Sequence, residues 1–169
     1  MIANATADAQ ALLEQLYTQH HHSIVNYLYR MVGDSGRAEE LAQDVFLRAF
    51  RALPRLPSDA NHRAWLYRIA TNVAYDTLRR RRLVSWLALR ETDRDEQATG
   101  GPDRLAEQQA VQMTLMQLPD GYRAVLVLFS VQGYSVREIA ESMGISEGAV
   151  KTRLSRAREM FRKAYEHEA

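Results

Sequence analysis

The chain has 169 residues, no cysteine, and a formal net charge of +1 from 22 basic and 21 acidic side chains. Disulfides and thiolate metal sites are therefore excluded, and 46% hydrophobic with 25% charged residues is the balance of a globular chain. The first eight residues have neither a basic n-region nor an apolar h-region. No apolar run approaches the roughly 20 residues that a membrane span needs, so a cytoplasmic protein without membrane insertion is expected.

Helical spacing dominates the chain. Leu12, Leu13, Leu16, Ile24, Leu28, Met31 and Val32 predict a first helix over about residues 9–32, ended by Gly33. Asp34 or Ser35 can cap the next, which carries Ala38, Leu41, Ala42, Val45, Phe46, Ala49 and Phe50 as a stripe facing a core. Pro54 and Pro57 predict a loop over residues 53–60, with Ser58 or Asp59 capping a third helix. That helix buries Leu66, Ile69, Ala70, Val73, Ala74 and Leu78, and runs into four consecutive arginines, Arg79 to Arg82. Residues 84–104 turn polar and acidic and end in Thr99-Gly100-Gly101-Pro102, a linker expected to be partly extended. Helices resume at Asp103, with Pro119 at the start of one that buries Val125, Leu126, Leu128 and Phe129 and stops at Gly133. No period-2 strand is present. The expected fold is all-α: a helical bundle over residues 8–83, a linker over 84–104 and a second bundle over 105–169.

The modest net charge hides a strong segregation. Besides the arginine run, a basic group gathers at Lys151, Arg153, Arg156, Arg158, Arg162 and Lys163. Acid collects between the two, at Glu91, Asp93, Asp95, Glu96, Asp103 and Glu107. Separate cationic regions are the footprint of a nucleic-acid binder.

The second basic region sits on a helix-turn-helix spacing. Ser135-Val136-Arg137-Glu138 is a capping box, Ala140 allows a close helix crossing, Gly144 suits a left-handed turn, and Ser146 can cap the following helix. Ile139, Met143, Ile145, Val150 and Leu154 supply the small core. The second helix would enter the major groove with Glu147, Lys151, Thr152, Ser155 and Arg156 on or near its free face. Lys151 and Arg156 can donate to guanine O6 and N7, whereas Arg153, Arg158, Arg162 and Lys163 suit phosphates. In the N-terminal half, residues 64–82 interleave aromatic, amide and basic side chains on one helix beside the proline-bounded loop. Such a surface suits stacking on unpaired bases.

These motifs together resemble the extracytoplasmic-function (ECF) sigma factors of the sigma-70 family. Residues 40–50, ELAQDVFLRAF, resemble the family's polymerase-binding helix, and residues 64–82 its promoter-melting and −10-recognition region. Residues 134–140 and 148–158 resemble its −35-reading motif. The likeness covers residues 10–83 and 105–165 in the family's order.

The resemblance implies roles position by position. Gln43, Asp44 and Arg48 would meet the coiled coil of the polymerase β′ subunit, and the second bundle the β flap. The loop around Ser58, Asp59, Asn61 and Arg63, with Trp65, would capture a flipped base, and Asn72, Asp76, Arg79 and Arg80 would face −10 DNA. Lys151, Thr152, Arg153, Ser155, Arg156 and Arg158 would serve the −35 element. The acidic linker would thread toward the catalytic cleft and the RNA exit path. An anti-sigma factor is the implied regulator, and no further domain is expected after Ala169.

Other features carry less chemistry. His20, His21 and His22 point about 100° apart on a helix and so cannot all bind one ion; a solvated surface and no metal are expected. No carboxylate pair or glycine-rich phosphate loop is present, and neither a catalytic site nor a cofactor is expected. Two other functions stay open on the residues alone. One is a conventional helix-turn-helix regulator that binds operator DNA without joining polymerase. The other is a helical adaptor with solvated basic ends.

Overall fold

The computed structural model describes the backbone of residues 2–88 and 102–168, and the side chains of residues 7–85 and 104–167. Among the described residues there are seven α-helices and no strand. The first, α1 (Ile2–Val32), buries Leu16, Ile24, Tyr27, Leu28, Met31 and Val32. Gly33 ends it at φ +77°, where only glycine escapes a Cβ penalty. Asp34 then caps α2 (Ser35–Ala52) by accepting the Arg37 N–H at 2.8 Å.

On α2 the residues Ala38, Leu41, Ala42, Val45, Phe46 and Ala49 are buried as expected. Phe50 is not: it is 44% exposed. At about 100° per residue it lies roughly 100° from the middle of the buried stripe, outside the face that meets α1. Leu47, also on the outer side, is 48% exposed.

A 3₁₀ turn, Leu53–Arg55, follows and tucks Leu53 into the core. The third helix, α3 (His62–Ala88), begins later than the loop sequence suggests. Its cap is Asn61, whose Oδ1 accepts the Ala64 N–H at 3.1 Å, and neither Ser58 nor Asp59. Those two lie exposed in a turn that the Ala60 N–H closes onto the Pro57 carbonyl, one turn too early to cap α3. At its other end α3 continues through Ala88, so residues 84–88 are helical and not extended. No glycine or proline stands there to stop the helix. The rest of the expected linker, up to residue 101, lies outside the described residues.

Four helices follow: α4 (Pro102–Gln117), α5 (Asp120–Ser130), α6 (Val136–Met143) and α7 (Glu147–Glu168). Pro119 is the N-cap of α5. Val125, Leu126 and Leu128 are buried, and Phe129 packs against the core from a half-buried position. Two small bundles, α1–α3 and α4–α7, share one apolar cluster that runs from Ile24 and Tyr67 through Leu118 and Val125 to Val150 and Leu154.

A polar device at the end of α1 joins the bundles. The last four carbonyls of a helix have no partner within it. Here the Tyr29 and Arg30 carbonyls both accept from Gln112 Nε2 of α4, at 3.3 Å each. The Met31 carbonyl accepts from Arg123 Nη1 of α5 at 2.5 Å, and the Val32 carbonyl from Arg81 Nη1 of α3 at 2.8 Å. Arg123 is 3% exposed. Its remaining N–H groups reach the carbonyls of Leu115, Met116 and Leu118 at 2.7–3.1 Å, stapling the α4–α5 corner. Burial draws its pKa down, partly countered by Asp120 3.8 Å away.

Candidate nucleic-acid and polymerase interfaces

The helix-turn-helix is built by local bonds that its sequence encodes. Ser135 Oγ accepts the Glu138 N–H at 3.2 Å, and Glu138 Oε2 accepts the Ser135 N–H at 2.8 Å. That backbone donation holds the Glu138 carboxyl below the usual carboxylate range. Gly144 closes α6 at φ +65°, its N–H bonded to the Ala140 carbonyl. Ser146 Oγ accepts the Ala149 N–H at 3.1 Å and starts α7. Ile139, Val150, Leu154 and Ala157 are buried beneath, with Met143 and Ile145 packed at the edge.

On the outer face of α7, Lys151, Thr152, Ser155 and Arg156 are all exposed at i, i+1, i+4 and i+5, one contiguous strip. Arg153 and Arg158 depart from it. Arg153 turns toward the start of α5, its Nη1 3.5 Å from where a Cβ on Gly121 would stand. Arg158 lies over the Phe129 ring at 4.9 Å. Further along, Lys163 pairs with Glu159 at 2.8 Å and Arg162 is exposed.

The α3 face is equally ordered. Asn72, Arg79 and Arg80 are exposed and Asp76 half-buried, all on one side of the helix. Of the four arginines, Arg81 is committed to the Val32 carbonyl and Arg82 to Asp120 at 2.7 Å, so Arg79 and Arg80 are the pair facing outward. Asp76 bonds Arg79 at 2.5 Å and lies 4.0 Å from Arg48, which bonds Asp44 at 3.0 Å. A charged chain, Asp44–Arg48–Asp76–Arg79, thus connects the outer face of α2 with the basic face of α3. Gln43, Leu47 and Phe50 are exposed on the same α2 surface. The two apolar members escaped the sequence reading: Phe50 was assigned to the core stripe, and Leu47 has no polar signal.

The loop before α3 is not open in the same way. Ser58 and Asp59 are exposed, and Trp65 is half-buried against the core. Asn61 Nδ2, however, donates to Glu141 of α6 at 3.4 Å. Arg63 lies over the Tyr134 ring at 3.9 Å, 3.5 Å from Glu138, and donates to the Gln132 carbonyl at 3.4 Å.

Of the three adjacent histidines, His22 is exposed as expected, whereas His20 and His21 are less solvated than their sequence context suggests. His20 is half-buried, and burial, then the Arg63 charge, lowers its pKa. His21 packs on the Tyr17 ring at 4.5 Å and lies 3.7 Å from Glu39. Among the described residues no three histidine or carboxylate side chains gather as a metal site. No described helix is long and apolar enough to cross a membrane.

Known proteins share this architecture. Residues 16–84 match the Sigma-70 region 2 family and residues 108–161 match Sigma-70 region 4. The ECF RNA polymerase sigma factor SigE of Mycolicibacterium smegmatis is 32% identical over 95% of this chain, which spans 65% of that protein's length. The ECF sigma factor SigW of Bacillus subtilis is 33% identical over 92% of this chain and 88% of its own. Among solved structures, CnrH in complex with the cytosolic domain of CnrY superposes with a TM-score of 0.76. It is 26% identical and covers 99% of this chain and 96% of the other.

Proposed function

This chain belongs to the sigma-70 family as an ECF-type sigma factor, and from that membership we propose how its surfaces divide the work of promoter recognition. A sigma factor directs the RNA polymerase core enzyme to selected promoters, acting in the cytoplasm by binding and without a catalytic step of its own. Residues 8–83 form region 2, residues 84–104 the linker and residues 105–169 region 4. The outer face of α2, with Gln43, Asp44 and Arg48, takes the β′ coiled coil, and exposed Leu47 and Phe50 supply the apolar area that a protein interface needs at its centre. Region 4 meets the β flap. An anti-sigma factor is the regulator, a reading supported by the likeness to CnrH, which binds the cytosolic domain of CnrY.

Asn72, Asp76, Arg79 and Arg80 face −10 DNA, and the loop at Ser58, Asp59 and Asn61, with Arg63 and Trp65 on the first turn of α3, captures an unpaired base. On α7, exposed Lys151, Thr152, Ser155 and Arg156 read the −35 bases, while Arg153 and Arg158, drawn sideways to Gly121 and Phe129, contact backbone. The observation that carries this reading is the pairing of two basic surfaces on one chain, with Arg48–Asp76 tying the α3 surface to a protein-facing patch. The test is reconstituted transcription: the chain is added to core polymerase on a panel of promoters. Initiation that depends on the chain is expected. Tight operator binding by the chain alone, with no effect on polymerase, would transfer the function to a conventional regulator.

A further inference from the structure

An open cavity of about 450 Å³ lies where α3, α5 and α7 meet. Its wall carries three guanidinium groups, from Arg79, Arg82 and Arg153, against one carboxylate, from Asp120. That carboxylate is already engaged, 2.7 Å from Arg82 and 3.8 Å from the buried Arg123. Arg79 has Asp76 for a partner. Arg153 has none: among the described residues its guanidinium forms neither an ion pair nor a hydrogen bond.

The unused donors converge on Gly121, the second residue of α5. A Cβ there would stand 3.5 Å from Arg153 Nη1 and 3.9 Å from the Tyr75 hydroxyl oxygen. That hydroxyl is buried and has no hydrogen-bond partner among the described residues. Burial pushes its pKa up to about 12, so it stays protonated and able to donate. A buried hydroxyl left unsatisfied costs free energy that an incoming acceptor would recover. The helix end adds further donors. No side chain caps α5, and the Tyr122 and Arg123 N–H groups turn back to the Pro119 carbonyl. The N–H groups of Asp120 and Gly121 remain at the positive end of the helix dipole. An unpaired guanidinium, a lone hydroxyl and backbone N–H groups around a glycine suit the oxygens of a tetrahedral anion. The volume is that of a small-molecule site.

We propose that this cavity binds phosphate: the phosphate group of a free ion or of a nucleotide seats on Gly121, held by Arg153, Arg82 and the Tyr75 hydroxyl. The inference stands apart from the sigma reading, because neither Gly121 nor Tyr75 belongs to a surface assigned to DNA or polymerase.

The test is calorimetric titration of the full chain, free of DNA and polymerase, with inorganic phosphate, beside thermal denaturation with and without it. The parent should bind one phosphate saturably, and its melting midpoint should rise with phosphate concentration. In Gly121→Ala the added methyl group fills the seat while making only ordinary van der Waals contacts, and alanine favours the helix. This variant should melt at or above the parent's midpoint without phosphate, bind phosphate at least about tenfold more weakly, and lose the phosphate-dependent rise. Tyr75→Phe removes one donor to a charged group and should weaken binding about tenfold. Arg51→Gln removes the same unit of charge as any cavity arginine but from the exposed end of α2, and should bind like the parent. No saturable binding by the parent overturns the proposal. So does parental affinity in Gly121→Ala, and so does an equal loss in Arg51→Gln, which would be general electrostatics. Pyrophosphate and a nucleoside diphosphate separate the two sources. Tighter binding of the nucleoside diphosphate identifies a nucleotide, equal binding the free ion, and either supports the site.

Discussion

Arg123 shows how much one side chain can organise. It is buried among carbonyls from two bundles, and its planar fork reaches four of them at once. Replacing it with leucine would strand the Leu115, Met116 and Leu118 carbonyls in an apolar corner, where each unsatisfied group costs about 1–3 kcal/mol. Arg123→Leu should therefore lose roughly 3 kcal/mol or more in urea denaturation. Arg123→Lys, with a single ammonium in place of the fork, should fall between the leucine variant and the parent. Equal stability in all three chains would mean that water satisfies the corner. Nothing along the sequence marks this residue, because an arginine three positions after an aspartate at a helix start reads as a surface ion pair. Its acceptors are backbone atoms, which carry no sequence signature, and one of them lies 92 positions away.

At the scale of elements, the helix-turn-helix was legible because its determinants are local. Capping box, left-handed glycine and second serine cap each act within four residues, and all three are observed. The start of α3 was misread as Ser58 or Asp59 because Asn61, a third capping-competent side chain, falls within the same four positions, and only the Pro57–Ala60 turn decides among them. Phe50 was misplaced for a different reason: a stripe read from i, i+3 and i+4 steps has no fixed edge, and its outermost member can face a partner instead of the core. Gly144 gives a direct test of the local determinants. Alanine there must adopt φ near +65° at a cost of about 1–2 kcal/mol, and its Cβ would also displace Arg68 from the turn. Gly144→Ala should lower the urea midpoint accordingly and weaken −35 duplex binding by shifting α7 relative to α6. Wild-type stability in this variant would show that the turn relaxes to another geometry.

For the molecule as a whole, charge is arranged in three blocks, and the middle one is the least like its neighbours. Glu91, Asp93, Asp95 and Glu96 lie between two surfaces assigned to DNA. Their place in the sequence was legible and their structure lies outside the described residues, so the argument here is electrostatic. An anionic segment gains nothing by approaching promoter DNA: it repels the phosphates and releases no counterions. It gains from a basic channel built to hold nucleic acid, such as the path that leads nascent RNA out of polymerase. Within the free chain its attraction to the basic faces of α3 and α7 is limited, because exposed charges are screened within about 8–10 Å at ordinary ionic strength. The segment should therefore act after promoter choice, by competing with the first nucleotides of RNA. Replacing Glu91, Asp93, Asp95 and Glu96 with the corresponding amides should leave the ranking of competing promoters unchanged and alter the yield of short abortive transcripts. Both are measured in one reconstituted system, by promoter competition beside an abortive-initiation assay. A changed promoter ranking with an unchanged abortive pattern would reverse the assignment and place the acidic segment against DNA.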